Sequence, residues 1–169
     1  GSAAADMYTR AAVAISGLFA LTKEEAMYFN AGRDSDGDPL MADRDYTVVL
    51  PPAAHGRLPA RWWSITLYGE DHFLVKNRRD KFSVNGRDVG GQGWSFDLRP
   101  DEEGELSTER DGGRVACLPM GPRRNERVFL TLRLYHPSAA LLESADAVRR
   151  AILPRILKKG WGMTSRSML

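Results

Sequence analysis

Asp34-Ser35-Asp36-Gly37-Asp38 sets three carboxylates at alternate positions, a spacing that invites a hard cation. An EF-hand loop starting at Asp34 would need glycine at its sixth place and glutamate at its twelfth. Pro39 and Asp45 stand there instead. The stretch is therefore expected to be a strand-connecting turn with Gly37 at positive φ. His55, His72 and His136 form no His-x-His or His-x₃-His pair, so surface positions are expected and no metal is assigned. Nucleophilic hydrolysis would need a serine on a strained G-x-S-x-G turn, but Gly93-Trp94-Ser95 lacks the closing glycine. Cys117 is the single cysteine. It excludes an internal disulfide and reads as a packing sulfur rather than a nucleophile. The glycine-rich stretch 85–93, NGRDVGGQG, lacks the Gly-Lys-Ser/Thr of a phosphate loop and is expected to be a flexible loop. No catalytic residue and no cofactor are assigned.

The strongest chemical signal is of another kind. In RWWSITLY (61–68) the alternation of a strand puts Trp63, Ile65 and Leu67 on one face. Trp62, Ser64, Thr66 and Tyr68 occupy the other. FLTLRLY (129–135) divides the same way, with Leu130, Leu132 and Leu134 set against Phe129, Thr131, Arg133 and Tyr135. If the two strands are neighbours, Trp62, Ser64, Thr66, Tyr68, Thr131, Arg133 and Tyr135 form one polar-aromatic patch. A sugar suits such a patch, because its C–H face stacks on aromatic rings while its hydroxyls hydrogen-bond to Ser, Thr and Arg. Arg133 is expected either to reach solvent or to pair with an acid across the sheet, with Tyr68 and Tyr135 flanking it. The bland alternative is the wet side of an antiparallel sheet.

Several elements must position these residues. Residues 6–21 read as a helix capped by Asp6, and Thr22 and Glu25 have capping-box spacing for one short further turn. Strands are expected at AMYFNAG, YTVVLP, RWWSITLY, KFSVNG, WSFDLRP, GELSTER and RVFLTLRLY, the last stopped by His136-Pro137. Residues 61–76 read as a hairpin through HFLVKN, and DEEG as the loop of another between WSFDLRP and GELSTER. Residues 138–159 return to helical periodicity, broken near Pro154. The expected organisation is one domain over 1–169: an N-terminal helical segment (1–25), an antiparallel β-sandwich (26–137) and a basic helical tail (138–169).

At 169 residues the chain has volume for a real core, and 27% charged residues with a net charge of +2 give no sign of nucleic acid as a partner. No run of eighteen apolar residues is present, so no transmembrane helix is expected. The chain opens with Gly-Ser rather than Met, as expected after removal of an upstream segment or addition of a short scar. In the tail, Arg149, Arg150, Arg155, Lys158, Lys159 and Arg166 interleave with Ile152, Leu153, Ile156, Leu157 and Trp161. That pattern suits residues 147–169 either to an anionic membrane surface or to a helix docked on the domain.

YTRAAVAISGLFALTKEEAMYF, DSDGDPL, LPARWWSITLYGEDHFLVKN, KFSV and FLTLRLYHPS occur in this order. Together they resemble the bacterial family catalogued as domain of unknown function 1214, over about residues 8 to 142. The resemblance implies a jelly-roll-like β-sandwich with helical decoration. It also implies a cell-envelope setting, since short members look like periplasmic domains behind an N-terminal membrane anchor, while longer relatives carry a companion domain upstream. It brings no settled activity and no catalytic residue. Two places depart from the family pattern. Cys117 stands where members often carry tryptophan before Leu-Pro, and the tail beyond about residue 150 is longer and more basic.

The expected function is that of a non-catalytic envelope domain that binds a saccharide or an envelope protein through its polar-aromatic face. A glycan hydrolase is the alternative and would need two convergent carboxylates roughly 5–10 Å apart, with Asp36, Asp71 and Asp97 as candidates. A purely structural assembly module is the third reading.

Overall fold

The computed structural model describes residues 21–51, 60–89, 95–100, 108–110, 113–121, 125–143 and 152–159. The helix expected over 6–21 and His55 fall outside these, except for Leu21. The chain enters through one turn in which the Glu25 carboxylate accepts from both the amide and the hydroxyl of Thr22, each at 3.1 Å. This is the reciprocal half of a capping box, closing a single turn before the first strand.

In chain order the elements are β1 (Ala26–Ala31), β2 (Tyr46–Val49), β3 (Ala60–Gly69), β4 (Ser83–Asn85), α1 (Gly86–Val89), β5 (Ser95–Arg99), β6 (Thr108–Arg110), β7 (Gly113–Pro119), β8 (Val128–Pro137), α2 (Ala139–Leu142) and β9 (Arg155–Lys158). Among the described residues the architecture is mainly β, with two short helices. One sheet runs β1-β8-β3-β4 and the other β6-β7-β5-β2-β9. Period-two alternation explains how they meet. Trp63, Ile65, Leu67, Val84, Leu130, Leu132 and Leu134 turn inward from the first sheet, and Tyr46, Val48, Phe96, Leu98, Leu118 and Ile156 from the second. All lie in one buried cluster, so the two sheets share a core.

Several expectations about connections need correction. The sheets are not purely antiparallel, because β5 and β7 pair in parallel. β7 lies between β5 and β6, so the hairpin expected around DEEG does not form; β6 pairs with β7 instead. The hairpin expected over 61–76 also fails. After β3 only Tyr68 bridges to Leu74, and β3 takes β8 and β4 as its partners. Asn77 redirects the chain there: its amide donates to the carbonyls of Val75 and Lys81, and its oxygen accepts from the amides of Arg79 and Lys81. The loop expected at 85–93 contains α1, pinned by buried Val89; residues 90–94 lie outside the described set.

The helical tail also needs correction. Only α2, capped by the Ser138 side chain, is helical among the described residues of 138–159. After Pro154 the chain becomes β9, an edge strand paired antiparallel with β2. Ile156 faces the core, while Lys158 and Lys159 reach carboxylates of the domain. The strand β8 also runs through His136 and Pro137 instead of stopping before them, with Pro137 opposite Ala60.

Candidate functional site

The site is the outer face of the four-stranded sheet, and the β3–β8 register builds it. Trp62 stands opposite Tyr135, Ser64 opposite Arg133, Thr66 opposite Thr131 and Tyr68 opposite Phe129. All seven residues expected from the sequence therefore share one face. On the other side of β8, β1 adds Tyr28 opposite Arg133 and Asn30 opposite Thr131. At the far edge β4 sets Asn85 opposite Ser64 and Ser83 opposite Thr66.

Arg133 is the centre of this surface. Its Nη1 donates to Thr66 Oγ1 at 2.7 Å and its Nη2 donates to the Tyr68 hydroxyl. The guanidinium lies 5.4 Å from the Tyr68 ring centroid and 5.9 Å from that of Tyr28. Two aromatic rings thus flank the cation, an arrangement that favours it electrostatically. No acid lies within salt-bridge distance of Arg133 among the described residues, and the side chain is half-buried. The expected flanking pair is correct for Tyr68 only. Tyr135 instead packs on Trp62 at 5.1 Å between centroids, and Tyr28 takes its place beside the cation.

Burial divides the surface into two levels. Ser64, Thr66 and Thr131 are buried, whereas Trp62 and Tyr28 are 47% and 42% exposed. The hydroxyls thus form a floor. Thr131 Oγ1 donates to Asn30 Oδ1 at 2.7 Å, which turns the amide nitrogen of Asn30 away from the floor. By accepting from Arg133, Tyr68 and Thr66 keep their own hydroxyl protons for donation elsewhere. Tyr68 stacks on Phe129 at 5.5 Å, and His72 meets the edge of Phe129 at 5.3 Å.

Tyr28 and Asn30 were missing from the sequence-level set. AMYFNAG carries the signal, since Met27, Phe29 and Ala31 form the apolar row and leave Tyr28 and Asn30 outward. What the sequence lacked was the pairing of β1 with β8.

The other candidate groups lie elsewhere. Asp34 Oδ1 accepts from the amides of Asp36 and Asp38, and Gly37 has φ 89°, so the DSDGD stretch is the expected turn. Lys158 closes it by an ion pair of 2.6 Å to Asp38. That contact holds the Asp38 carboxyl below its ordinary value and raises the Lys158 ammonium above its own. Asp71 accepts from the amide of Phe73 within its own turn. Asp97 is buried on the second sheet, where it accepts from Thr47 Oγ1 at 2.9 Å and from Lys159 Nζ at 2.6 Å. His72 and His136 are exposed.

Cys117 stands opposite Asp97 in the parallel β5–β7 pair. Burial pushes its thiol up, against the opposing pull of Arg99. A raised value means less thiolate at mildly alkaline pH. Iodoacetamide should therefore label the native protein more slowly than the urea-unfolded chain, with the gap narrowing as pH rises. Equal rates in the two states would place the sulfur in open water.

The sequence pattern of the family described as "Protein of unknown function (DUF1214)" matches residues 25–139. The chain belongs to this family. The DUF1214 match contains all four strands of the first sheet and hence the whole polar-aromatic face, while β9 lies beyond it. Among solved structures the chain is similar to the VPA0106 protein of Vibrio parahaemolyticus, with 22% identity and a TM-score of 0.61. The similarity covers 87% of this chain and 34% of that one, so the DUF1214 chain spans about a third of that protein's length. At this identity the likeness shows the fold. No curated protein matches.

Proposed function

We propose that this DUF1214 domain is a non-catalytic binding module of the cell envelope that takes a saccharide across the outer face of its four-stranded sheet. The observation that carries the reading is the two-level face: exposed Tyr28 stands beside an Arg133 already oriented by Thr66 and Tyr68, and exposed Trp62 packs on Tyr135 further along the same face. A guanidinium held before binding loses little freedom when a ligand arrives. The rings offer surfaces for the C–H faces of sugars, and Asn30, Tyr68 and Arg133 offer donors. Because Ser64, Thr66 and Thr131 form the floor, their role is to orient this upper layer. We read the two sheets as a jelly-roll-like sandwich, supported by their shared core; the parallel β5–β7 pair is the departure from that pattern.

Among the described residues neither the hydrolase reading nor the membrane reading gains a supporting contact. Asp71 caps its own turn and Asp97 is held by Lys159. Lys158 and Lys159 of the basic tail are paired with Asp38 and Asp97.

A glycan array probed with wild type and Tyr68→Ala tests the proposal. Wild type should retain a defined set of glycans. The variant, which loses both a ring and the anchor of Arg133, should bind them about tenfold more weakly or worse, equivalent to ~1.4 kcal/mol. Identical profiles for the two proteins, or no retention by wild type, would overturn the reading.

A further inference from the structure

Beyond Tyr68 and Phe129 the face runs into an open pocket of about 530 Å³ at the end of the sheet. Three separate backbone features converge there. Arg33 lies just past β1, bridged back to Pro39. Arg127 immediately precedes β8 and bridges to Met41, while Glu70 follows β3. Asn30 and Phe129 belong both to this pocket and to the ring-lined face, so the two are continuous.

We infer that this pocket takes a carboxylate of the saccharide, so that the ligand class is an acidic, uronic-acid-type glycan rather than a neutral one. The inference rests on the saccharide reading above and adds the charge of the ligand. Among the described residues, two guanidinium groups line the pocket against one carboxylate, and Arg133 adds a third positive charge further along the face. Arg33 donates one nitrogen, Nη1, to the Gly37 carbonyl at 2.8 Å, which anchors the side chain. Of the three acids in the adjoining turn, Asp34 and Asp38 face Lys158 at 3.5 and 2.6 Å, and none of the three lines the pocket.

The Glu70–Arg127 contact is loose. Its closest approach is 3.8 Å, and both side chains are 65% exposed. An exposed pair of that length contributes little and yields readily to a better partner. A ligand carboxylate can meet the planar fork of Arg127 with two charge-assisted hydrogen bonds, which the 3.8 Å contact does not provide. Phe129 lies beside it, so a ring bearing the carboxylate can rest on the aromatic row while its acid group reaches the arginines. The geometry matches a chain of sugars running along β3 and β8 with one acidic residue at the Arg127 end.

Paired glycans decide this: uronic-acid oligosaccharides and their neutral methyl esters, of identical linkage, on one array and then in solution titrations. The proteins are wild type, Arg127→Gln and Gly32→Leu. A Cβ at Gly32 would meet only Phe129 Cβ, at 3.8 Å, so the longer side chain fills the pocket without a backbone clash. The expected result is that wild type prefers the acid to its ester by about tenfold or more. Arg127→Gln should abolish that preference while leaving the ester's affinity within about twofold, and Gly32→Leu, which fills the pocket beside Phe129, should abolish the preference and weaken acid and ester alike. Equal binding of acid and ester by wild type would overturn this inference and leave the saccharide reading standing. A preference that survives in both variants would move the acid's site elsewhere and also overturn it. Failure to bind any acid or ester on the array would overturn both.

Discussion

Replacing Trp63 by alanine is expected to lower stability by about 3–5 kcal/mol, the range for removing a large aromatic from a packed core. Trp63 is 7% exposed and faces inward between Ile65 and the Leu134 register partner on β8. Its indole nitrogen lies against Gly86, where even a methyl would come within 3.3 Å, so the ring fills its space closely. Neighbouring Trp62 supplies the control. It points to the opposite face, is 47% exposed, and has its ring contact with Tyr135. Trp62→Ala should cost only about 1 kcal/mol, the scale of one aromatic pair. Urea denaturation of both variants measures the two effects through the shift in midpoint at unchanged slope. A larger loss for Trp62→Ala would invert the faces of β3 and remove the candidate site with them.

Lys159→Met should destabilise the protein by about 3 kcal/mol, the lower end for removing one member of a buried pair. The Asp97 side chain is 2% exposed and cannot rotate into water, so loss of its 2.6 Å partner leaves a carboxylate in the fold. Arg99, at 3.7 Å, still approaches Asp97 and limits the damage. The double variant Lys159→Met with Asp97→Val should recover much of the loss, because both charges go together and valine suits a strand. Thermal melts of the two single variants and the double close the cycle. An additive double variant would show that Lys159 does not act through Asp97. The result also bears on architecture, since Lys159 lies at the end of β9 and holds the C-terminal edge strand to the second sheet.

Local alternation made the first sheet legible. In RWWSITLY and FLTLRLY every second residue is apolar, and one wrong phase would put Ile65 and Leu132 in water. Both inner rows and all seven outer residues followed from that pattern, together with the assumption that the two strands are neighbours. What stayed hidden depended on partners far along the chain. Residues 152–157 carry apolar pairs at Ile152-Leu153 and Ile156-Leu157, a spacing that also fits a helix. Only pairing with β2 makes 155–158 a strand. β7 is obscured in the sequence by Gly112-Gly113 and Pro122, which look like punctuation, and its parallel partner has no local signature. The hairpin at 61–76 misled because Gly69 and Asp71 do make a turn, yet Asn77 then leads the chain away to β4. Tyr28, the second ring beside Arg133, became assignable only when β1 was placed against β8.

Amide chemical-shift mapping during titration with an oligosaccharide retained on the array tests the binding face most directly. The account predicts that shifts concentrate on Tyr28, Asn30, Trp62, Tyr68 and Arg133, with the Trp62 indole moving and the buried Trp63 indole nearly still. Shifts confined to the five-stranded sheet around Asp97 and Cys117, with the four-stranded face unmoved, would contradict it.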